Sequence, residues 1–178
     1  MDSAALLIRP ARFEDLEAFA AIYGHAVREG TASYETDPPD AREMGRRLAE
    51  IEARGLPWLV AEGAEGEVLG YAYAGPFRTR PAYSWTVEDS IYVADRARGR
   101  GVAAALLARL LDECTARGYR TMVAVIGDAA NTASVALHAR AGFHEVGRLP
   151  GMGWKHGRWL EWLMMARPLG EGDTTPPL

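Results

Sequence analysis

The sequence of 178 residues contains a single cysteine, Cys114, so it cannot form an internal disulfide. This cysteine usage is typical of proteins in a reducing compartment, and we expect a cytoplasmic location. The sequence also lacks an apolar run of about 18 residues, which a membrane-spanning helix needs. Its N-terminal residues lack the basic and apolar segments of a signal peptide. These absences predict a protein without a membrane partner.

Positive charge is also in deficit, because 20 lysine and arginine residues face 24 acidic ones, giving a net charge of −4. That balance argues against nucleic acid or an anionic membrane as the main partner. The four histidines, at positions 25, 138, 144 and 156, show no metal-ligand spacing, so we predict no metal site. One stretch departs from the acidic average: residues 96–103, RARGRGVA, contain three arginines and two glycines. This stretch favours a small anionic ligand.

The length fits one domain, which we expect to span residues 1–169, followed by a disordered tail over 170–178. Hydrophobic periodicity predicts the element order β-α-α-β-β-β-α-β-α-β-β, which is an α/β fold with a mixed sheet. The strand SWTVEDSIYV directly precedes the arginine- and glycine-rich loop. A helix beginning at Val102 follows that loop. The segment TMVAVIG is apolar enough to be a strand that is buried on both faces.

The glycine loop allows more than one interpretation. Residues 99–104, GRGVAA, fit the dinucleotide pattern G-x-G-x-x-G/A. A Rossmann domain needs further βαβ units and an acidic residue after the second strand, for which Asp128 is a poor candidate, so the architecture disfavours it. A tight strand-to-helix turn without a ligand is the simplest alternative. If a ligand binds, the unpaired N–H groups at the start of the helix and the arginines suit a pyrophosphate.

Two motifs carry a family resemblance. Residues 96–101, RARGRG, match the form Q/R-x-x-G-x-G/A, and a later helix opens at Asn131 and closes on AGF at 141–143. In this order, the two motifs resemble those of the GCN5-related N-acetyltransferases. The resemblance implies the GNAT fold, with a mixed, mostly antiparallel central sheet flanked by helices, and acetyl-CoA as cosubstrate. The residues that it implies for acetyl-CoA binding are Ile91, Tyr92, Val93, Arg98, Gly99, Arg100, Gly101, Val102, Ala103, Asn131 and Ser134.

Further segments, including WLVAE, VAVIG, LHARAGF and KHGRW, resemble the phosphinothricin and methionine sulfone/sulfoximine acetyltransferases. The similarity runs from about Leu7 to Leu169. It implies acetylation of the α-amino group of small anionic or polar amino-acid analogues, by a homodimer. Two alternatives stay open: acetylation of a protein N-terminus or another amine, and a CoA-binding sensor without turnover.

Acetyl transfer needs a neutral amine, so a carboxylate that removes the ammonium proton is expected. Glu88 is the candidate, because the resemblance at TVEDS favours it over Asp89. Backbone N–H groups near Tyr92 are expected to stabilise the developing oxyanion. His138 and Tyr92 are both candidates to protonate the leaving thiolate, and a purely structural His138 fits equally well. Cys114 is predicted to be a core thiol and not a nucleophile.

The loop PFRTRPAY is predicted to select the substrate. Arg78 and Arg80 lie two residues apart just before the strand of Glu88, and two guanidinium groups suit a carboxylate and a second anionic or polar group. The alternative is that both are solvated loop residues. Tyr83 in the same loop and Tyr34 in an earlier loop are the aromatic residues that we expect to contact the substrate, together with Glu88.

Overall fold

The computed structural model describes residues 6–177, which form four α-helices and seven β-strands in the predicted order. The helices are α1 (Leu16–Glu29), α2 (Ala41–Ala53), α3 (Val102–Ala116) and α4 (Thr132–Arg140). The strands are β1 (Leu7–Pro10), β2 (Trp58–Glu62), β3 (Val68–Pro76), β4 (Thr86–Val93), β5 (Thr121–Ile126), β6 (His144–Lys155) and β7 (Arg158–Pro168). The opening strand is predicted from Ala5 and the tail to Leu178, and both residues lie outside the described range.

All seven strands of the described chain belong to one sheet, in the order β1-β2-β3-β4-β5-β7-β6. Neighbouring strands are antiparallel except for β4 and β5, which run parallel. The prediction of an α/β fold with a mixed, mostly antiparallel sheet is therefore confirmed.

The helix starts follow from local capping. Asp40 is of a residue type favoured at helix N-caps, and it accepts a hydrogen bond from the Glu43 backbone N–H at 2.8 Å as the N-cap of α2. The hydrophobic pattern of the sequence predicts a first helix from about Glu14, but α1 begins at Leu16. The preceding residues form a short 3₁₀ turn, because the buried Asp15 carboxylate accepts from the Arg12 backbone N–H and from the Arg9 guanidinium.

Aromatic side chains form the core between α1 and the sheet. Phe19 of α1 packs against Trp58 and Tyr71, with ring centroids 5.5 and 4.6 Å away. Phe19 and Tyr71 are fully buried. Truncating a buried aromatic of this kind to alanine costs about 3–5 kcal/mol, so this cluster is a major support for the centre of the sheet. Cys114 is also fully buried, and burial raises the pKa of its thiol to about 12, as expected for a core thiol.

Strand β4 alternates regularly between the two faces of the sheet. Its pairing with β3 runs without a shift from Gly70↔Val93 to Pro76↔Val87. Tyr92 contacts Tyr23 of α1, whereas Asp89 contacts His138 of α4. Because side chains alternate along a strand, α1 and α4 cover opposite faces, and Glu88 lies on the same face as Tyr92.

The C-terminal residues fold back towards β5. The Arg120 guanidinium donates to Glu171 and Thr175 and to the carbonyls of Gly172 and Pro176, at 3.1–3.5 Å. Most of residues 171–177 are exposed. These contacts define one conformation for the described part of the segment that the sequence predicts to be a disordered tail, and the domain boundary at residue 169 stays a prediction.

Candidate active site

Strands β4 and β5 separate to form a cleft. They pair only from Thr86↔Thr121 to Asp89↔Ala124, although both strands continue beyond that point. On its other side, β5 stays paired with β7 as far as Ile126↔Leu163. On the side of β4 away from β3, the backbone of residues 90–93 therefore faces a cleft of about 1070 Å³ instead of β5. This edge can hydrogen-bond an extended ligand, as the prediction for Ile91, Tyr92 and Val93 requires.

The arginine- and glycine-rich loop lies at the mouth of this cleft. Gly99 and Gly101 have φ angles of +74° and +81°, and a Cβ at either position would meet nothing within 4 Å. Gly101 is the N-cap of α3, so the first N–H groups of that helix are available to a ligand. The loop and the start of α3 line the cleft with Ala97, Arg98, Gly99, Gly101, Val102, Ala103 and Ala104.

The side chains of the three arginines of the loop have different surroundings. Arg98 lines the cleft and pairs with Asp95 at 2.8 Å. Arg96 donates to the Val68 carbonyl at 3.0 Å and so supports β3. Arg100 is exposed and, unlike the other predicted cosubstrate-binding residues, does not line the cleft. An open helix N-terminus next to Arg98, with glycines that leave the backbone accessible, fits the diphosphate of acetyl-CoA.

Helix α4 forms the far wall. Asn131 is its N-cap and accepts from the Ser134 N–H at 3.2 Å, and both residues line the cleft. The structure thus brings the two sequence motifs to one cavity, although they are about 30 residues apart in the chain.

Glu88 lies where β4 and β5 separate, and it lines the cleft. Burial and the negative charge of the adjacent Asp89 raise the pKa of Glu88 to about 7, while the positive charge of Arg78 opposes this shift. A carboxylic acid with that pKa exchanges its proton near neutral pH, which suits a general base.

His138 is buried and bonded on both ring nitrogens. Nδ1 lies 2.8 Å from the Ser134 carbonyl oxygen, and Nε2 lies 3.0 Å from Asp89 Oδ2. Burial disfavours the imidazolium, but the hydrogen bond and charge of Asp89 outweigh it, so the pKa of His138 is raised above its usual value. The ring also packs edge-on against Phe143, at 5.1 Å. The residue lines the cleft, and each of its ring nitrogens already lies within hydrogen-bonding distance of a protein oxygen.

Tyr92 lines the cleft in the middle of an aromatic group. Its ring lies 4.8 Å from that of Tyr23 and 5.4 Å from that of Tyr71. Burial and the neighbouring tyrosines raise the pKa of Tyr92 well above its usual value. Its phenol therefore stays protonated at neutral pH. Whether Tyr92 or His138 protonates the leaving sulfur stays a prediction.

The residues predicted to bind substrate separate into two groups. Tyr34 lines the same cleft as Glu88, and its hydroxyl donates to the Gly127 carbonyl at 2.6 Å. Arg78, Arg80 and Tyr83 line a second depression of about 520 Å³ and not the cleft itself. The Arg78 guanidinium stacks on Tyr83 at 5.9 Å, and its charge reaches Glu88.

Sequence reasoning missed three residues of the cleft. Asp89 was considered only as an alternative to Glu88, and its bond to His138 depends on a contact between residues 49 positions apart. Asp128 is buried, accepts from Thr31 at 2.7 Å and pairs with Arg158, which lines the cleft. The signal for this pair is an acidic residue two positions after the end of the buried strand β5.

Among residues 6–177, no cluster of His, Cys, Asp or Glu has the arrangement of a metal site. None of the helices in the same range combines the length and the apolar character that crossing a membrane requires.

A seven-stranded sheet opened between two parallel strands, with a glycine turn beginning the adjacent helix, fits the GNAT fold that the sequence resemblance implies. Residues 19–143 match the model of the acetyltransferase (GNAT) family, and the chain belongs to that family. Members of the family use acetyl-CoA. The chain is therefore an N-acetyltransferase of the acyltransferase class.

Comparison with individual proteins shows which members of the family the chain resembles. The chain is 49% identical to a phosphinothricin N-acetyltransferase of Alcaligenes faecalis, over 97% of this chain and 87% of that protein. It is 41% identical to an L-methionine sulfoximine/L-methionine sulfone acetyltransferase of Pseudomonas aeruginosa, over 95% of this chain and 98% of that one. A GNAT superfamily phosphinothricin acetyltransferase from Sinorhizobium meliloti, solved in complex with AcCoA, has a TM-score of 0.95 and 47% identity, over 97% of this chain and 93% of its own.

Proposed function

We propose that this chain transfers the acetyl group of acetyl-CoA directly to the α-amino group of a small amino-acid-like acceptor of the phosphinothricin, methionine sulfone or methionine sulfoximine type. The observation that carries the proposal is the position of Glu88. Its carboxyl group, with a pKa of about 7, lies at the end of the same cleft whose mouth is the glycine turn before α3. The names of the similar proteins support this acceptor class.

Different residues along the cleft bind acetyl-CoA and accept the proton of the acceptor. Acetyl-CoA, when bound, supplies an activated thioester. Gly99, Gly101 and the first N–H groups of α3 bind its diphosphate, and the free backbone edge of residues 90–93 aligns the rest of the molecule. Glu88 accepts the proton of the acceptor ammonium, which frees the lone pair for attack. Tyr34 lines the same cleft as Glu88.

A release assay tests the proposal. The protein is mixed with acetyl-CoA and a panel that contains phosphinothricin, methionine sulfone, methionine sulfoximine, the twenty amino acids and an alanine-initiated peptide, and free thiol is recorded. We expect release with the amino-acid analogues. Release only with the peptide would indicate an N-terminal acetyltransferase, and binding of acetyl-CoA without release would indicate a sensor.

We further propose that the active form is a homodimer built on the edge strand β6. This strand pairs only with β7 in the described sheet, and the pair exposes Val146, Leu149, Met152, Trp154 and Trp159. Trp154 and Trp159 are 59% and 64% exposed and contact each other at 5.3 Å, so they are not core residues. A concentrated apolar surface of this kind is typical of an interface, and a second copy is its proposed occupant.

Sedimentation velocity tests the dimer. Trp154→Arg combined with Trp159→Arg is expected to give a monomer. Phe13→Arg, at a residue that is 67% exposed on another part of the chain, is the matched control and should sediment like the wild type. A wild-type protein that is monomeric at micromolar concentration would refute the proposal.

The proposed setting is the cytoplasm, because Cys114 is a free, buried thiol that needs no oxidising compartment. There the enzyme would confer resistance to phosphinothricin as a herbicide. Cells that produce the wild-type chain should grow on inhibitory phosphinothricin, and cells that produce a Glu88→Gln variant should not. Fractionation of the same cells locates the protein.

A further inference from the structure

Asp89 is a buried carboxylate for which the proposed reaction has no use. It is 7% exposed, lines the cleft and directly follows Glu88 in β4. Removing a charge from water is costly unless the charge has a partner. Among the residues that the structure describes, His138 is the partner that meets Asp89 Oδ2, and Oδ1 has no hydrogen-bond partner.

The partners of His138 identify where its protons lie. The Ser134 carbonyl can only accept, so Nδ1 must carry a proton. Nε2 faces a carboxylate, which as an anion also only accepts. With both nitrogens protonated the ring is a cation, and the pair is a buried ion pair between β4 and α4.

Glu88 and Asp89 lie on opposite faces of β4. The regular β3–β4 register directs Glu88 towards the α1 face and Asp89 towards α4. The two carboxylates are thus adjacent along the chain but in separate surroundings. Glu88 is free to exchange a proton at the end of the cleft, whereas Asp89 is hydrogen-bonded to His138.

We propose that Asp89 is a positioning residue for acetyl transfer: it fixes His138 as a charged, immobile wall of the cleft on the α4 face, across β4 from Glu88. This inference rests on the proposed role of Glu88. The proposal gives His138 a role in shaping the site and not in protonating the leaving thiolate. Loss of a proton from either ring nitrogen would break its hydrogen bond to Ser134 or to Asp89.

The charged and titratable neighbours of Glu88 and Asp89 are the groups that can change the pKa values of these two carboxylates. Glu88 faces Arg78 from the β3–β4 loop and Tyr73 from β3. Asp89 faces His138 from α4 and Cys114 from α3, whose pKa its charge helps to raise. At the paired position on β5, Ala124 is uncharged. The charge of Asp89 raises the pKa of Glu88 and that of Arg78 lowers it. Because a protonated His138 offsets the charge of Asp89, the intact pair acts on Glu88 less than an unpaired Asp89 would.

The charge states are tested without turnover. In full-length protein labelled with ¹⁵N-histidine and ¹³C-glutamate, we expect His138 to stay doubly protonated to higher pH than the other histidines. Asp89→Asn should return His138 to a neutral ring at pH 7.5. Because this variant removes the negative charge of Asp89 and the positive charge of His138 together, the titration midpoint of Glu88 should change little. Signals are assigned with His138→Gln and Glu88→Gln. A neutral His138 in the wild type, or a His138 that stays charged in Asp89→Asn, would overturn the proposal.

The kinetic arm uses the pH dependence of kcat/KM. His138→Gln leaves the charge of Asp89 unpaired and should move the acidic limb to higher pH, whereas Asp89→Asn removes both charges and should leave the limb in place. A limb that stays in place in His138→Gln would indicate a loss of packing alone and contradict the charged pair. Asp112→Asn removes an exposed aspartate of α3 and is the control, with the wild-type profile expected. If Glu88→Gln leaves turnover intact, the proposed function fails, and the NMR result still decides whether Asp89 holds His138 as a cation.

Thermal unfolding covers the case of an unstable variant. His138→Gln leaves the Asp89 charge unpaired and should lower the Tm. The double variant Asp89→Asn with His138→Gln removes both charges and should recover most of the loss. Additive losses in the double variant would contradict a buried ion pair.

Discussion

The ring of Tyr34 lies so close to Gly153 that a Cβ on Gly153 would be 2.7 Å from Tyr34 Cε2. On the other side of the ring, a Cβ on Gly127 would be 2.9 Å from Cε1. Tyr34 thus occupies a slot between the end of β5 and strand β6 that only glycine leaves open. The hydroxyl of Tyr34 donates a hydrogen bond to the Gly127 carbonyl, which holds the ring in this slot.

Gly153→Ala should therefore displace Tyr34 and impair the acceptor side of the cleft. We expect kcat/KM for the amino-acid acceptor to fall about 10–100-fold, the effect of an ångström-scale shift of a positioning group. Acetyl-CoA affinity, measured by calorimetry, should not change. Gly147→Ala in the same strand has no atom within 4 Å of the new Cβ and is the control. An unchanged acceptor KM in Gly153→Ala would show that Tyr34 does not shape the acceptor site.

Acetyl-CoA should stabilise the protein through the glycine turn. At 100 times its dissociation constant, a ligand that binds only the folded state adds about 2.7 kcal/mol to the free energy of unfolding. Gly101→Val places a branched side chain where the backbone must approach the diphosphate, so the ligand-induced rise in Tm should disappear. A shift produced by NADH and not by acetyl-CoA would contradict the assignment of the loop.

The control for this experiment is Gly66→Val. Gly66 has the same φ angle of +81° and the same open surroundings, but it lies in the β2–β3 turn. Both variants bear the strain of a β-branched residue at positive φ. Only Gly101→Val should lose the response to acetyl-CoA, which separates strain from ligand contact.

The sequence predicted the parts of the fold that local patterns encode. Periodicity gave the order of elements, and the capping residues Asp40 and Asn131 are N-caps in the structure. Regular alternation along this strand predicts that Glu88 and Asp89 lie on opposite faces, and the unshifted pairing of β4 with β3 agrees with it. These features depend on neighbours within a few residues, so one chain is enough to infer them.

Contacts between distant segments were not predictable in the same way. The bond between Asp89 and His138 needs the register of β4 and the packing of α4, which no local pattern specifies. The loop arginines illustrate the same limit, because proximity in sequence to Glu88 did not put Arg78 and Arg80 in its cleft. The sequence favours either a core position or a dimer contact for Trp154 and Trp159 and does not separate the two, and the structure places both at the exposed edge of the sheet.

Glu88→Gln should keep acetyl-CoA binding and lower turnover at neutral pH by about 10²–10⁴-fold, the usual contribution of a general base. The base must be ionised, and the pKa of Glu88 is about 7, so wild-type kcat/KM should decrease as the pH falls through that value. The variant should lack this limb. Its deficit should shrink at high pH, where the amine loses its proton unaided.

Glu52→Gln, at an exposed position of α2, is the matched control and should show the wild-type pH profile. Turnover of Glu88→Gln close to that of the wild type at pH 7 would remove Glu88 from the mechanism. A deficit that stays constant across the pH range would indicate a positioning role and not proton transfer.

The last prediction concerns Arg78 and Arg80, which line the depression next to the cleft. If they bind the anionic groups of the acceptor, neutralising either to glutamine removes a charge-assisted hydrogen bond of roughly 1.5–3 kcal/mol. In that case kcat/KM for phosphinothricin should fall about 10–150-fold, with acetyl-CoA affinity unchanged. Lysine should restore only part of the loss, because it keeps the charge without the planar pair of donors. An acceptor whose carboxylate is masked as an amide should already be poor with the wild type and should lose little more in the variants. Equal losses for masked and free acceptors would mean that the two arginines shape the loop, and that Arg78 acts on the reaction only through the charge it presents to Glu88.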